Sequence, residues 1–269
     1  MPTSALLLAL GAALVHAVWN ILLARARDPR AATAVALLVA EVVFAIPTIV
    51  LWDVHRAAWP YIVGSGGLQL LYFTLLITAY RLAPLSVVYP IARGGAPVLV
   101  LIFGVAVLGH RTSAGQVLGV CLVAAGILLV RGTRPTVGRG VALGLCVAGV
   151  IATYTLVDKV GVTHAGALPY LELSMVVPSL SYAAIYSPTR LRAEINLSTI
   201  VAGVATFGAY CMVLLALQRA SAASVAAVRE TSVVVGAFLA WRFLKEPVGV
   251  GRLGGAVLVA GGIALVSLA

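Results

Sequence analysis

The 269-residue chain is 62% hydrophobic and only 10% charged, with a mean hydropathy of +1.11 and a formal net charge of +10. Soluble domains average about 45–50% apolar and about 25% charged residues, so the composition excludes a soluble globular fold. The basic residues stand at the ends of apolar stretches instead of forming one patch, which argues against a nucleic-acid partner.

Ten apolar windows recur, at 4–24, 31–51, 60–80, 84–108, 113–131, 138–157, 165–187, 197–218, 221–244 and 249–268. About 20 apolar residues are needed to cross a hydrocarbon core of about 30 Å. The windows are too long for barrel strands, so all ten are expected as helices of an all-α integral membrane protein. The first has no Lys or Arg within Met1 to Ser4 and outruns a signal-peptide core, so it reads as a retained helix. Near its end His16 and Asn20 share one helical face, with Trp19 beside His16. These three serve either as interhelical hydrogen-bonding groups and an interfacial anchor, or as part of a solute site.

The second segment places Glu41 near its centre, and the third carries Gln69 and Tyr72. The fourth holds Tyr89 and Arg93, surrounded by Pro90, Gly94, Gly95 and Pro97. Lost main-chain hydrogen bonds predict a kink there, which is tolerated at membrane depth only beside protein or a water-filled cavity. Tyr154 lies in the sixth segment, Glu172 in the seventh, Tyr210 in the eighth and Arg229 in the ninth. An Arg at that depth costs about 2.5–3.5 kcal/mol on insertion scales, so Arg93 and Arg229 must face a cavity or a partner. Each either binds an anionic group of a solute through its planar fork of donors or forms a structural ion pair with Glu41, Glu172 or Glu230. Arg93 is the preferred solute ligand because of the broken helix expected around it. A carboxyl held between burial and a nearby Arg can bind and release a proton, which makes Glu41, Glu172 and His16 the proton-coupling candidates. Permanent pairing of Glu41 with Arg93 is the alternative. Cys121, Cys146 and Cys211 lack metal or disulfide spacing and read as packing residues.

Rare residues repeat in register. Gly119–Val130 and Gly255–Val266 share eight of twelve residues, and Glu41 and Glu172 each precede a proline, Pro47 or Pro178, by six. Tyr72 precedes Arg81 as Tyr210 precedes Arg219, by nine. Two five-helix repeats are therefore expected, residues 1–131 and 138–269. An odd number of spans inverts the second repeat, a plan typical of transporters with a midplane site. Odd-numbered breaks hold twelve basic residues and even-numbered breaks four, which predicts that the odd breaks are cytoplasmic and both termini outside. Glycines such as Gly115, Gly119, Gly251 and Gly255 form small faces for close helix approach, either within the chain or in a homodimer.

The runs His16 to Asn20, Pro84 to Arg93, Val228 to Ser232 and Phe243 to Pro247 resemble EamA-type members of the drug/metabolite transporter superfamily across essentially the whole chain. The resemblance implies a ten-helix, two-repeat secondary carrier of the bacterial inner membrane, usually an exporter of amino acids, related metabolites or drugs. His110 stands where that family often has Glu, so no role of that Glu carries over. No phosphate-binding loop, His-Glu-x-x-His or Gly-x-Ser-x-Gly is present, which argues against an ATP-driven pump and against a membrane enzyme. The paired arginines favour an anionic or zwitterionic small molecule, with Trp19, Asn20, Tyr72, Tyr89, Tyr154 and Tyr210 completing its site. No cofactor or metal is expected, and protons are a candidate coupling ion. A proton-coupled exporter of hydrophobic cations, with Glu41 as the cation ligand, is the alternative.

Overall fold

The computed structural model of the protein describes residues 1–82, 85–107, 109, 111–131, 138–235, 238 and 250–269, without the side chains at 80, 81, 85–87, 89, 90, 130, 131, 139, 250, 252 and 253. The 132–137 break, His110 and the Phe243–Pro247 run therefore lie outside the described residues, as does the Tyr89 side chain. Helices α1 (Thr3–Ala24), α2 (Pro29–Val50), α3 (Trp59–Leu82), α4 (Leu85–Ala106) and α5 (Ala114–Arg131) form the first half. The second half contains α6 (Gly138–Gly161), α7 (Ala167–Ala183), a short α8 (Pro188–Ala193), α9 (Leu197–Arg219), α10 (Ala222–Arg229) and α11 (Val250–Leu268). Helical backbone also occupies 231–235.

Five helices among the described residues are long and apolar enough to cross a membrane, and further apolar helices are shorter. Their starts follow from capping chemistry. The side chains of Asp28, Ser187, Asn196 and Ser221 each accept a main-chain N–H of the first turn, and Pro29 and Pro188 occupy the first helical position.

Two features differ from the sequence reading. Helix α4 runs unbroken through Pro90 and Pro97. The interruption falls instead at Arg229 and Glu230, where the Glu230 N–H donates to the Ala227 carbonyl and Thr231 Oγ1 donates to the Val228 carbonyl at 2.6 Å. A hydroxyl competing for helix carbonyls ends the helix without any proline. Helix α8 was not expected; Ser187 caps it after α7 ends.

Packing follows the repeat. Helix α1 packs on α9 and α3 on α6; α2 packs on α9 and α3 on α7. With α1, α2, α3 and α5 matched to α6, α7, α9 and α11, each of these four contacts has its exchanged counterpart, while α2–α7 and α5–α11 map onto themselves. This is the pattern that two repeats related by a two-fold axis would give. Along α5–α11, Gly119 meets Gly262 and Gly126 meets Gly255, so the two helices run antiparallel. A Cβ at Gly119 would lie 2.7 Å from the Gly262 carbonyl oxygen, so these backbones touch directly. The small-residue faces are thus occupied within the chain.

The breaks sort onto two ends. At one end Arg190 binds Asp28, and Glu194 Oε1 accepts the Asp28 N–H, joining the first break to α8. At the other end the N-terminal amine reaches the Ser267 carbonyl at 2.9 Å, Gln116 Nε2 reaches Ser221 and Ser224 at 2.7 Å, and the His55 N–H donates to the His164 carbonyl. Lys159 Nζ and Gln218 tie α6 to the end of α9.

Candidate functional site: a cavity between the halves

A cavity of about 150 Å³ opens among α1, α2, α3, α4, α6, α7, α9 and α10. Its wall combines His16, Trp19, Gln69, Tyr72, Tyr154 and Tyr210 with both arginines, Arg93 and Arg229. Thr206 and apolar side chains fill the remainder, among them Phe73 and Phe207, two rings that the sequence reading did not select.

The arginines enter from opposite halves and converge on one acid. Glu230 is fully buried. Its Oε2 lies 2.9 Å from Arg93 Nε, and its Oε1 lies 3.9 Å from Arg229 Nε. Arg93 Nη2 also donates to Ser232 Oγ at 3.3 Å. The interruption after α10 turns Glu230 and Ser232 toward α4. A continuous helix would set successive residues about 100° apart and leave that pairing to chance.

Of the three acids open to Arg93 as partners, Glu230 is the one observed and Glu41 is not. Arg93 is held by Glu230 and Ser232, whereas Glu41 accepts from Ser179 Oγ at 2.8 Å and contacts Glu172. Neither Glu41 nor Glu172 lines the cavity. Arg229 is the less committed arginine. It is 5% exposed, its Nε and Nη2 are buried without a hydrogen-bond acceptor, and the Tyr154 hydroxyl is within reach.

Trp19 Nε1 is likewise buried without an acceptor, with His16 set edge-on to its ring at 4.7 Å between centroids. Asn20 turns away: its Nδ2 donates to the His16 carbonyl of its own helix at 2.7 Å. The rings of Tyr72, Tyr154 and Tyr210 follow one another at centroid spacings of 6.2 and 6.4 Å, an aromatic wall of the predicted kind.

Asp158 escaped the sequence reading, which ended the sixth segment at 157. Helix α6 continues to Gly161 and buries Asp158 completely. The Tyr170 hydroxyl lies 2.9 Å from its Oδ1, and the Tyr210 hydroxyl donates to its Oδ2. Gln69 Nε2 reaches the Tyr210 oxygen at 3.5 Å, so Asp158 fixes a cavity ring from behind. Among the described residues, no group of three His, Cys, Asp or Glu side chains is placed to hold a metal ion.

The stacked apolar helices fit a multi-pass membrane protein with an arginine-bearing cavity between them. The EamA-like transporter family matches residues 3–132 and again 138–268, and the chain belongs to that family, a branch of the drug/metabolite transporter superfamily. No curated protein matches the chain. One solved structure, described only as the crystal structure of a protein, is 17% identical and superposes with a TM-score of 0.78, covering 100% of this chain and 98% of that one. That likeness establishes a shared fold.

Proposed function

We propose that the protein is a secondary carrier that exports a small anionic or zwitterionic metabolite, such as an amino acid, across the bacterial inner membrane by alternating access. The two stretches that match the family are the two repeats, five spans each and inverted, and the cavity between them is the solute site. The observation that carries this reading is the charge on the cavity wall: two guanidiniums reach it, and no carboxylate lines it among the described residues. Glu230 and Asp158 stand behind that wall and orient Arg93 and Tyr210.

The division of labour is unequal. Arg93 is the positioned partner of Glu230, and Arg229, with its Nε and Nη2 unsatisfied, binds the solute carboxylate as a fork. Trp19 Nε1 offers a further donor, and Tyr72, Tyr154 and Tyr210 pack the solute's apolar body. The hydrophobic-cation alternative loses support because Glu41, its acidic ligand, lies away from the cavity.

A ligand that binds only the folded state raises the melting temperature. Purified protein is expected to be stabilised by members of a panel of amino acids and aromatic carboxylic acids, and not by their amides or by quaternary amines. Arg229→Lys keeps the charge but removes the planar fork, and should weaken that shift at least about tenfold in ligand concentration, the effect of losing about 1.4 kcal/mol. Stabilisation by quaternary amines alone would overturn the reading.

A further inference from the structure

Helix α2 and helix α7 meet at the place where the two-fold relation maps the contact onto itself, and the residues that meet there are Glu41 and Glu172. Both precede a proline by six residues, so they are the same position in the two halves. Equivalent positions touch only on the axis that relates them. Each carboxyl is the other's electrostatic neighbour across the α2–α7 seam, where Glu41 also takes the Ser179 hydroxyl of α7.

The donors available to this pair are few. Ser179 Oγ, about two turns beyond Glu172 on α7, donates to Glu41 Oε1 at 2.8 Å. Glu41 Oε2 and Glu172 Oε2 are buried, and no protein group donates to either. Glu172 is only 6% exposed. Among the described residues, the helices packed on α2 and α7 form no ion pair with either carboxyl. Their titratable groups are His16 on α1; Tyr61, Tyr72, Tyr80 and Arg81 on α3; Arg190 and Arg192 on α8; and Tyr210, Cys211 and Arg219 on α9. On α2 itself stands Arg30, and on α7 stand Tyr170 and Tyr182. Among the described residues, Glu41 interacts with Ser179 and with Glu172. The cavity arginines are engaged around Glu230.

We propose that Glu41 and Glu172 together form one proton-binding site, shared between the two halves and separate from the solute cavity. Two carboxylates in contact repel, and a carboxyl-to-carboxyl hydrogen bond requires one proton between them. On binding, a proton leaves water and forms an O–H bond on one carboxylate, which donates to the other; on release, that bond breaks and the proton returns to water. The pair carries one negative charge when the α2–α7 seam is closed and two when the proton has gone. The second state pushes the halves apart at their axis. The link from this seam to solute movement rests on the carrier reading above; the proton site itself does not.

The test uses the purified full chain without solute. Infrared difference spectra across a pH titration should show a protonated carboxyl C=O band that both Glu41→Gln and Glu172→Gln abolish or shift by about one pH unit or more, because each removes the like charge facing the survivor. Asp158→Asn and Glu230→Gln serve as controls for the other buried acids and should leave that band in place. Hydrogen exchange in α2 and α7, corrected for the chemical rate, should rise as the band disappears and become independent of pH in the double variant. If a Glu variant fails to fold, Ser179→Ala removes the donor to Glu41 without changing charge and should shift the same band. A band that neither Glu variant alters, that only one alters, or that disappears with sodium at fixed pH would overturn the proposal. Because no solute is present, failure here leaves carboxylate binding at Arg229 standing, and failure of the ligand panel leaves the proton site standing.

Discussion

Arg93 and Arg229 occupy equivalent places in the two repeats and have different neighbours, because the acid that serves them both comes from one half only. Glu230 follows Arg229 directly and reaches across to Arg93 at 2.9 Å. Sequence displayed both arginines plainly, since a charge inside an apolar segment needs a reason. It could not assign their partner, and it ranked Arg93 first on the strength of prolines that the helix in fact absorbs. Asp158 was hidden for a similar reason: the tyrosines that satisfy it lie 12 and 52 residues further along the chain. Outside the spans, Asp28 offers a test of a single ion pair. The hydrogen bond from Arg190 holds its carboxyl below the usual range near pH 3.9. Its contribution is therefore complete above that pH and is lost as pH falls through the lower folded value. Asp28→Asn keeps a side-chain oxygen to cap α2 and removes the ion pair. Its melting temperature should change little near neutrality, where exposed pairs contribute little, and fall less steeply than wild type on acidification. An unchanged acid slope would show that Asp28 adds no pH dependence.

At the scale of elements, the helices were legible because apolar runs of membrane length have one main solution, a helix that satisfies its own backbone. Their internal breaks were not. Proline does not interrupt α4, which stays helical through Pro90 and Pro97, whereas the interruption at 229–230 carries the Thr231 hydroxyl on a helix carbonyl, a residue that reads as ordinarily polar in sequence. The α5–α11 seam was half legible: its glycine pattern was visible, but its partner was open between another helix and another copy. Contact there is tight enough to test. A Cβ at Gly126 would sit 2.6 Å from the Gly255 carbonyl oxygen, whereas one at Gly149 in α6 would meet nothing within 4 Å. Gly126→Ala is expected to destabilise by about 1–3 kcal/mol through overpacking. Gly149→Ala should be neutral or slightly stabilising, because alanine is the better helix former. Thermal unfolding of the two variants side by side measures the difference. Equal melting temperatures would mean that the seam relaxes at no cost.

For the whole molecule, the two-repeat plan was foreseeable from rare residues in register, and among the described residues the first and seventh breaks meet at one end while even-numbered breaks meet at the other. Which end faces the cytoplasm follows from the twelve-to-four bias alone. Cysteines introduced near Arg27 and Arg190 should be protected from an impermeant thiol reagent in intact cells, and one near Arg56 should be labelled; the reverse pattern would invert the orientation. The cavity was foreseeable as a place between halves, but its size and the exclusion of Glu41 from its wall depend on packing that no local pattern encodes. The glycine seam has a mechanical consequence. Where α5 and α11 touch backbone to backbone, few side chains stand between them to change rotamer and absorb displacement. At the α2–α7 crossing, by contrast, charged side chains lie between the helices. A rocking motion of the halves would thus have a stiff fulcrum at the first crossing and its free travel at the second, so that a small change at the carboxyl pair is delivered to the long arm of the lever.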